Sequence, residues 1–267
     1  MTYFAPETEQ HLTAAGLKPG RMSYFAGRSA PMGAVGGGVV AATFYNFNPT
    51  LVARNIPAAW GLAAPAALVA ARFAAVDAAL RRLLGDDTVA SAEVAEAAGL
   101  ARRAAEACSP DGRPLAAAHL DLEWPTEPHL VLWHALTILR EHRGDGHITV
   151  LVGAELDGLE ALVSYTATGR GFVTPFAMAS RGWSQEQWDD AVQRLADRGI
   201  LTTDGALTAD GAALRRSIED DTSRLGADPW THLGAEGSAR LGELGGALVR
   251  SLLAAGCFPD GVFAPTR

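Results

Sequence analysis

The chain has 267 residues, 48% of them hydrophobic and 19% charged, and its 22 Lys+Arg against 30 Asp+Glu leave a net charge of −8. That length and apolar content allow one large or two small domains with a real core and exclude disorder, and the acidic excess excludes a globally basic nucleic-acid-binding surface. Lys18 is the single lysine, so 21 of the 22 basic residues are arginine, as in chains from GC-rich genomes. Cys108 and Cys257 form no Cys-x-x-Cys pair, which leaves neither a disulfide framework nor a zinc site and points to a reducing cytoplasm. Met1 to Gln10 carries Glu7 and Glu9 and lacks a basic region followed by an apolar one. The most apolar window, Ile56 to Val76, is rich in alanine and interrupted by Pro57, Pro65 and Arg72. The expectation is a cytoplasmic protein with no membrane partner.

Apolar residues recur at three and four along almost the whole chain, and strand-like alternation is confined to Ile200–Thr208. The expected fold is mainly α, with two winged-helix-like halves and a short β-hairpin wing in the second. A polar turn at Ser109–Pro114 sets the division: an N-terminal helix-turn-helix-like half over 1–114 and a C-terminal half over 115–267. In the first half, Arg28 precedes a helix expected from Ala30-Pro31, and Gly33, Gly36, Gly37 and Gly38 fall inside its pattern. Each glycine costs ~0.5–1 kcal/mol relative to alanine, so close helix packing or ligand contact should offset them. No phosphate cradle follows, because neither a preceding strand nor a Gly-Lys-Ser/Thr is present.

Phe44-Tyr45-Asn46-Phe47-Asn48-Pro49 ends that helix and starts another, with Asn48 as N-cap and Pro49 at the first position. The aromatics flanking an amide read as a pocket wall, with the Tyr45 hydroxyl and Asn46 amide as its polar groups; core packing is the alternative. Arg54 lies beyond, suited to an anion or to Asp77. Glu93–Arg103, with Ala95 and Gly99, has the spacing of a helix-turn-helix corner.

The second half opens with a helix expected over Leu130–His142, broken at Gly144 and Gly146, with Asp145 capping the next from His147. Here lies the densest polar stretch, Glu141 to His147. Seven residues make nearly two helical turns, so His134 and Glu141 share a face, and Glu141 would orient the imidazole as a general base. Arg143 offers a fork for a carboxylate or phosphate, and His142, Asp145 and His147 complete the candidate site. The structural alternative has Asp145 as a cap, Arg143 in an ion pair and His142 on the surface. These histidines and acids match neither His-Glu-x-x-His nor a facial triad, so no metal is expected, and no cofactor is assigned.

Asp157/Glu160 and Ser184/Gln187 are capping-box signatures. After the second, a helix ends at Arg198-Gly199, an Asp204-Gly205 turn follows, and another helix begins near Asp210. Over Trp183–Leu225 this ending resembles MarR-type winged helices. Ala30-Pro31-Met32-Gly33, Phe44–Pro49, Ile56-Pro57-Ala58-Ala59-Trp60 and Arg140–His147 resemble an actinobacterial helix-turn-helix-like family carried under the name SalK, which implies a fold and transfers no chemistry. A recognition helix must present bases to phosphates. Arg181–Gly199 instead nets −1, and extension to Trp230 brings it to −4. The leading expectation is therefore a small-molecule-binding protein with its pocket between the two halves, which either holds its ligand unchanged or acts on it by cofactor-free isomerisation, cyclisation or hydrolysis. In that reading His134 and Glu141 do proton transfer, Tyr45 and Asn46 hold a carbonyl or hydroxyl, and Arg28 or Arg143 clamps an anion. DNA is disfavoured as a partner; the alternative is a ligand-responsive regulator that binds DNA as a homodimer.

Overall fold

The computed structural model describes residues 2–264. Helices make up 71% of the protein, which fixes the class as mainly α, as the periodicity predicts. Among the described residues no single helix is long and apolar enough to cross a membrane. The chain clusters into two compact units built from interleaved segments: Met1–Gly36, Asn55–Asp145 and Gly226–Pro259 in the first, Gly37–Arg54, Gly146–Leu225 and Asp260–Arg267 in the second. A single cut after residue 114 falls inside one of the segments of the first unit.

In the first unit, Pro65–Leu84 begins on a proline whose missing N–H costs nothing at that position. Its buried positions Leu68, Arg72, Ala75, Val76, Ala79, Leu80 and Leu83 form one helical stripe, packed on Pro6–Ala14. Ala92–Ala105 is capped by Ser91 and runs through Gly99 without a break, so the corner expected there does not exist. Its stripe of Val94 and five alanines lets Asp228–Ala254 approach closely, with Leu233, Leu241 and Leu244 filling the contact. Asp228–Ala254 is two helices across a kink at Gly234 (φ 81°). Trp230 belongs to this unit and is exposed.

Arg28 lies at the end of helix Arg21–Ser29 rather than before a helix. Gly33 (φ 80°) and Gly36 occupy the loop after a 3-10 turn, and Gly37–Phe44 starts on the last two glycines, so the run punctuates the chain instead of packing inside a helix.

The second unit holds the helix-turn-helix order: Gly158–Thr166, Thr174–Arg181, a turn at Gly182–Ser184, Gln185–Asp197, and Ala209–Leu225. Both capping boxes form, Asp157 with Glu160 and Ser184 with Gln187. Gly182 (φ 77°) ends its helix in the left-handed conformation, and a Cβ there would lie 2.7 Å from the Leu51 side chain. The core gathers Leu151, Leu156, Leu159, Leu162, Trp188, Leu195, Ile200 and Ile218, with Trp183 packed against it. The expected β-hairpin wing is reduced to a tight turn closed by one antiparallel bridge, Leu201 to Leu207, and no strand forms among the described residues. Only five residues separate Leu201 from Leu207, and among the described residues two backbone bonds alone join the arms, from Thr202 N–H to the Ala206 carbonyl and from Thr208 N–H to the Ile200 carbonyl.

Candidate functional site

Helix Pro128–Gly153 runs unbroken through Gly144 and Gly146, against the break predicted there. Asp145 therefore caps no helix of its own. It is buried, and its Oδ2 accepts from the backbone N–H groups of Leu115 and Ala116, both at 2.9 Å, capping helix Pro114–Leu120 from outside. Those are two orphan donors of a helix N-terminus. Burial pushes the Asp145 carboxyl up to about 6, opposed by the hydrogen bond from Ala116.

Glu141 and Arg28 come together as the sequence reading required of neither. Arg28 Nε and Nη2 donate to the two carboxylate oxygens at 3.2 and 2.8 Å, and Arg140 adds a third contact. Glu141 is 1% exposed. Burial alone would raise its carboxyl, but the charges of Arg28 and Arg140 outweigh it and hold it at about 2. Arg28 in turn is lifted well above its ordinary value, Glu141 overcoming the effect of burial.

Glu141 does not orient His134. Neither ring nitrogen of His134 has a hydrogen-bond partner, and burial lowers this imidazole to about 4, far from the neutral range that suits a general base. His134 packs instead among Trp124 (ring centroids 4.8 Å), Phe73 (5.6 Å) and His119 (6.2 Å). His119, on helix Pro114–Leu120, is 1% exposed and equally without partners. Arg72 is 6% exposed, makes one 3.4 Å contact to the Tyr3 hydroxyl and stacks 5.3 Å over Trp133.

Sequence reasoning missed His119 and Arg72. The available signal was position: Arg72 falls on the apolar stripe of its helix, and His119 lies one turn from Leu115 and Ala116 on the buried side of its own.

The remaining candidates scatter. His142 is buried, with its carbonyl accepting from Arg113, and burial lowers its imidazole to about 4; it is not on the surface. Arg143 and Arg54 are exposed. His147 belongs to the second unit, where its Nδ1 meets Thr222 Oγ1 at 2.8 Å; the Thr222 hydroxyl donates to Ile218, so His147 is the donor.

Tyr45 lines a cleft in the second unit, whereas Asn46 is not among the residues that line it. Tyr45 adopts φ 57°, its hydroxyl donates to the Leu156 carbonyl at 2.5 Å, and the Asn46 carbonyl accepts from Trp183 Nε1 at 2.9 Å. Asn48 caps helix Pro49–Ala53 as predicted and also binds the turn of the helix-turn-helix, its Nδ2 donating to the Gly182 carbonyl at 3.0 Å. These contacts frame a cleft of about 340 Å³ lined by Tyr45, Phe47, Gly158, Trp183, Asp190 and Arg194, among others. Gly158 is obligatory in that frame: a Cβ on it would lie 2.0 Å from the Tyr45 carbonyl oxygen.

Helix Gln185–Asp197 occupies the recognition position, and its exposed acids are Glu186, Asp189, Asp190 and Asp197. The arginine on this helix and the one that follows it are consumed internally. Arg194 donates to Glu160 (2.9 Å) and Asp157 (3.1 Å), and Arg198 to Glu160 (3.2 Å) and to the Glu155 carbonyl (2.9 Å). Gln185 and Gln193 bond to Asp189 and Asp197 one turn on, which occupies the amides that would read bases.

No curated protein and no solved structure matches this sequence. A helix-turn-helix family profile matches residues 1–259, nearly the whole length, and the chain belongs to that helix-turn-helix family.

Proposed function

We propose that this member of the family binds a small organic molecule in the cleft of its helix-turn-helix unit and does not read DNA through helix Gln185–Asp197. The observation that carries the reading is the cleft itself: about 340 Å³ is within the range of small-molecule sites, and the Tyr45, Phe47 and Trp183 rings supply the apolar walls such sites need. Its polar lining comprises Asp157, Gln187, Asp190 and Arg194, of which Asp157 and Arg194 pair with each other and the Asp190 carboxylate is unpaired among the described residues. The acidic face of the adjoining helix supports the second clause, because four exposed carboxylates repel a phosphate backbone.

The second reading, a DNA-binding regulator that responds to a ligand, is favoured by the family match and by the order of the two helices around Gly182–Ser184. The resemblance of Trp183–Leu225 to MarR-type winged helices belongs to the same side. Amide NMR separates the two. Titration with small aromatic fragments is expected to shift Phe47, Gly158, Trp183 and Gln187, while a short random-sequence duplex leaves Gln185–Asp197 unmoved. Duplex-induced shifts along Gln185–Asp197, or fragment shifts confined to other regions, would overturn the proposal.

A further inference from the structure

Within the first unit, His119 and His134 bury four ring nitrogens with no hydrogen-bond partner. Each unsatisfied buried polar group costs about 1–3 kcal/mol, so a native interior rarely keeps such a pair without something between them. The rings do not satisfy each other. A direct N–H···N bond between imidazoles brings their centroids to about 5 Å, and these lie 6.2 Å apart with planes tilted by 55°. At that spacing one small acceptor can reach an N–H of each ring only from beside the line joining the centroids, about 4.4 Å from each. Each neutral imidazole can place its single proton on whichever nitrogen faces the acceptor.

The charge of the surroundings decides what the acceptor is. Glu141 is held by Arg28 and Arg140, and its opposing effect on His119 is smaller than that of Arg72, which is buried with no carboxylate at ion-pair distance among the described residues and whose charge acts on both rings. A buried, uncompensated guanidinium is costly unless a negative charge balances it. A metal ion is the opposite case. Among the described residues no group of three or more His, Cys, Asp and Glu is placed to hold one, and a cation beside Arg72 would be repelled. Trp124 and Phe73 pack apolar rings against His134, a setting that disfavours a large or multiply charged guest.

We propose that His119 and His134 bind one small monoanion, of the size of a halide, nitrate or formate, by donating an N–H from each ring in the positive field of Arg72.

The site is tested with bromide as the probe. Crystals of the full chain grown from sodium bromide are expected to show an anomalous peak between the two imidazoles, within about 3.5 Å of a nitrogen on each. In solution, with ionic strength held constant by sodium gluconate, whose anion is too large for the site, bromide is expected to raise the thermal midpoint in a saturable way in the wild type and in Arg72→Lys, which keeps the charge. Arg72→Met and His119→Phe should lose that response. A water or no density between the rings, with bromide only at the surface, overturns the proposal, as does an unchanged bromide response in His119→Phe. The wild-type crystal decides the matter even where a variant fails to fold.

Discussion

Replacing Glu141 by glutamine isolates the buried ion pair that anchors helix Pro128–Gly153 to helix Arg21–Ser29. The folded carboxyl sits at about 2 against an ordinary 4.5, a difference of ~2.5 pH units, and at ~1.36 kcal/mol per unit the ionised form stabilises the fold by about 3 kcal/mol. A second route gives the same size: removing one partner of a buried pair leaves the other charge uncompensated, at a cost of about 3–5 kcal/mol. Because the folded value is depressed, this stability is fully present above pH 4.5 and is lost as pH falls towards 2. Glu141→Gln should therefore be about 3–5 kcal/mol less stable than wild type at pH 7. The gap should close by about 3 kcal/mol on acidification to pH 2, since the variant has no carboxylate to protonate. Urea unfolding followed by far-UV circular dichroism at a series of pH values measures both. A variant within about 1 kcal/mol of wild type at pH 7, or one whose deficit stays constant down to pH 2, would refute the reasoning.

Three further outcomes are expected. His134→Gln should flatten the acid side of the stability profile: the folded imidazole is lowered from 6.5 to about 4, so wild type loses about 3 kcal/mol as pH falls through that window and the variant should not; an identical slope in urea melts would count against it. Asp145→Asn acts in the opposite direction, because a carboxyl raised from 3.8 to about 6 gives stability that is present below pH 3.8 and lost as pH rises through 6. The amide keeps an acceptor for Leu115 and Ala116, so the decline of about 3 kcal/mol from pH 4 to 7 should disappear while the helix cap persists, read by hydrogen exchange at those two amides. Gly158→Ala must displace the Tyr45 backbone by more than an ångström and should cost about 3 kcal/mol or more; a thermal midpoint equal to wild type would show that the cleft wall is looser than described.

What was legible in the sequence was what depends on neighbours in the chain. Asn48-Pro49, Asp157/Glu160 and Ser184/Gln187 are caps whose partners lie within three residues, and all form. What was illegible depends on distant partners. Gly144 and Gly146 read as a break because each weakens an isolated helix by about 1 kcal/mol, yet tertiary contacts such as those of Glu141 with Arg28 and Asp145 with Leu115 hold the helix through them. The same distance misassigned Glu141: helical geometry placed it on the His134 face, and a guanidinium 113 residues away claimed it. Tyr45 reads as a wall from its neighbours alone, but its Gly158, Trp183 and Arg194 counterparts come from over a hundred residues further on.

The claim that helix Gln185–Asp197 does not read DNA is tested most directly by selection from a random-sequence duplex pool followed by fluorescence anisotropy at ~50 and ~200 mM salt. The expected result is no enriched sequence and no binding tighter than about 10⁻⁴ M at either salt. An enriched site bound at about 10⁻⁸ M, weakened steeply by salt and lost when Gln185 and Gln193 are replaced by alanine, would contradict it.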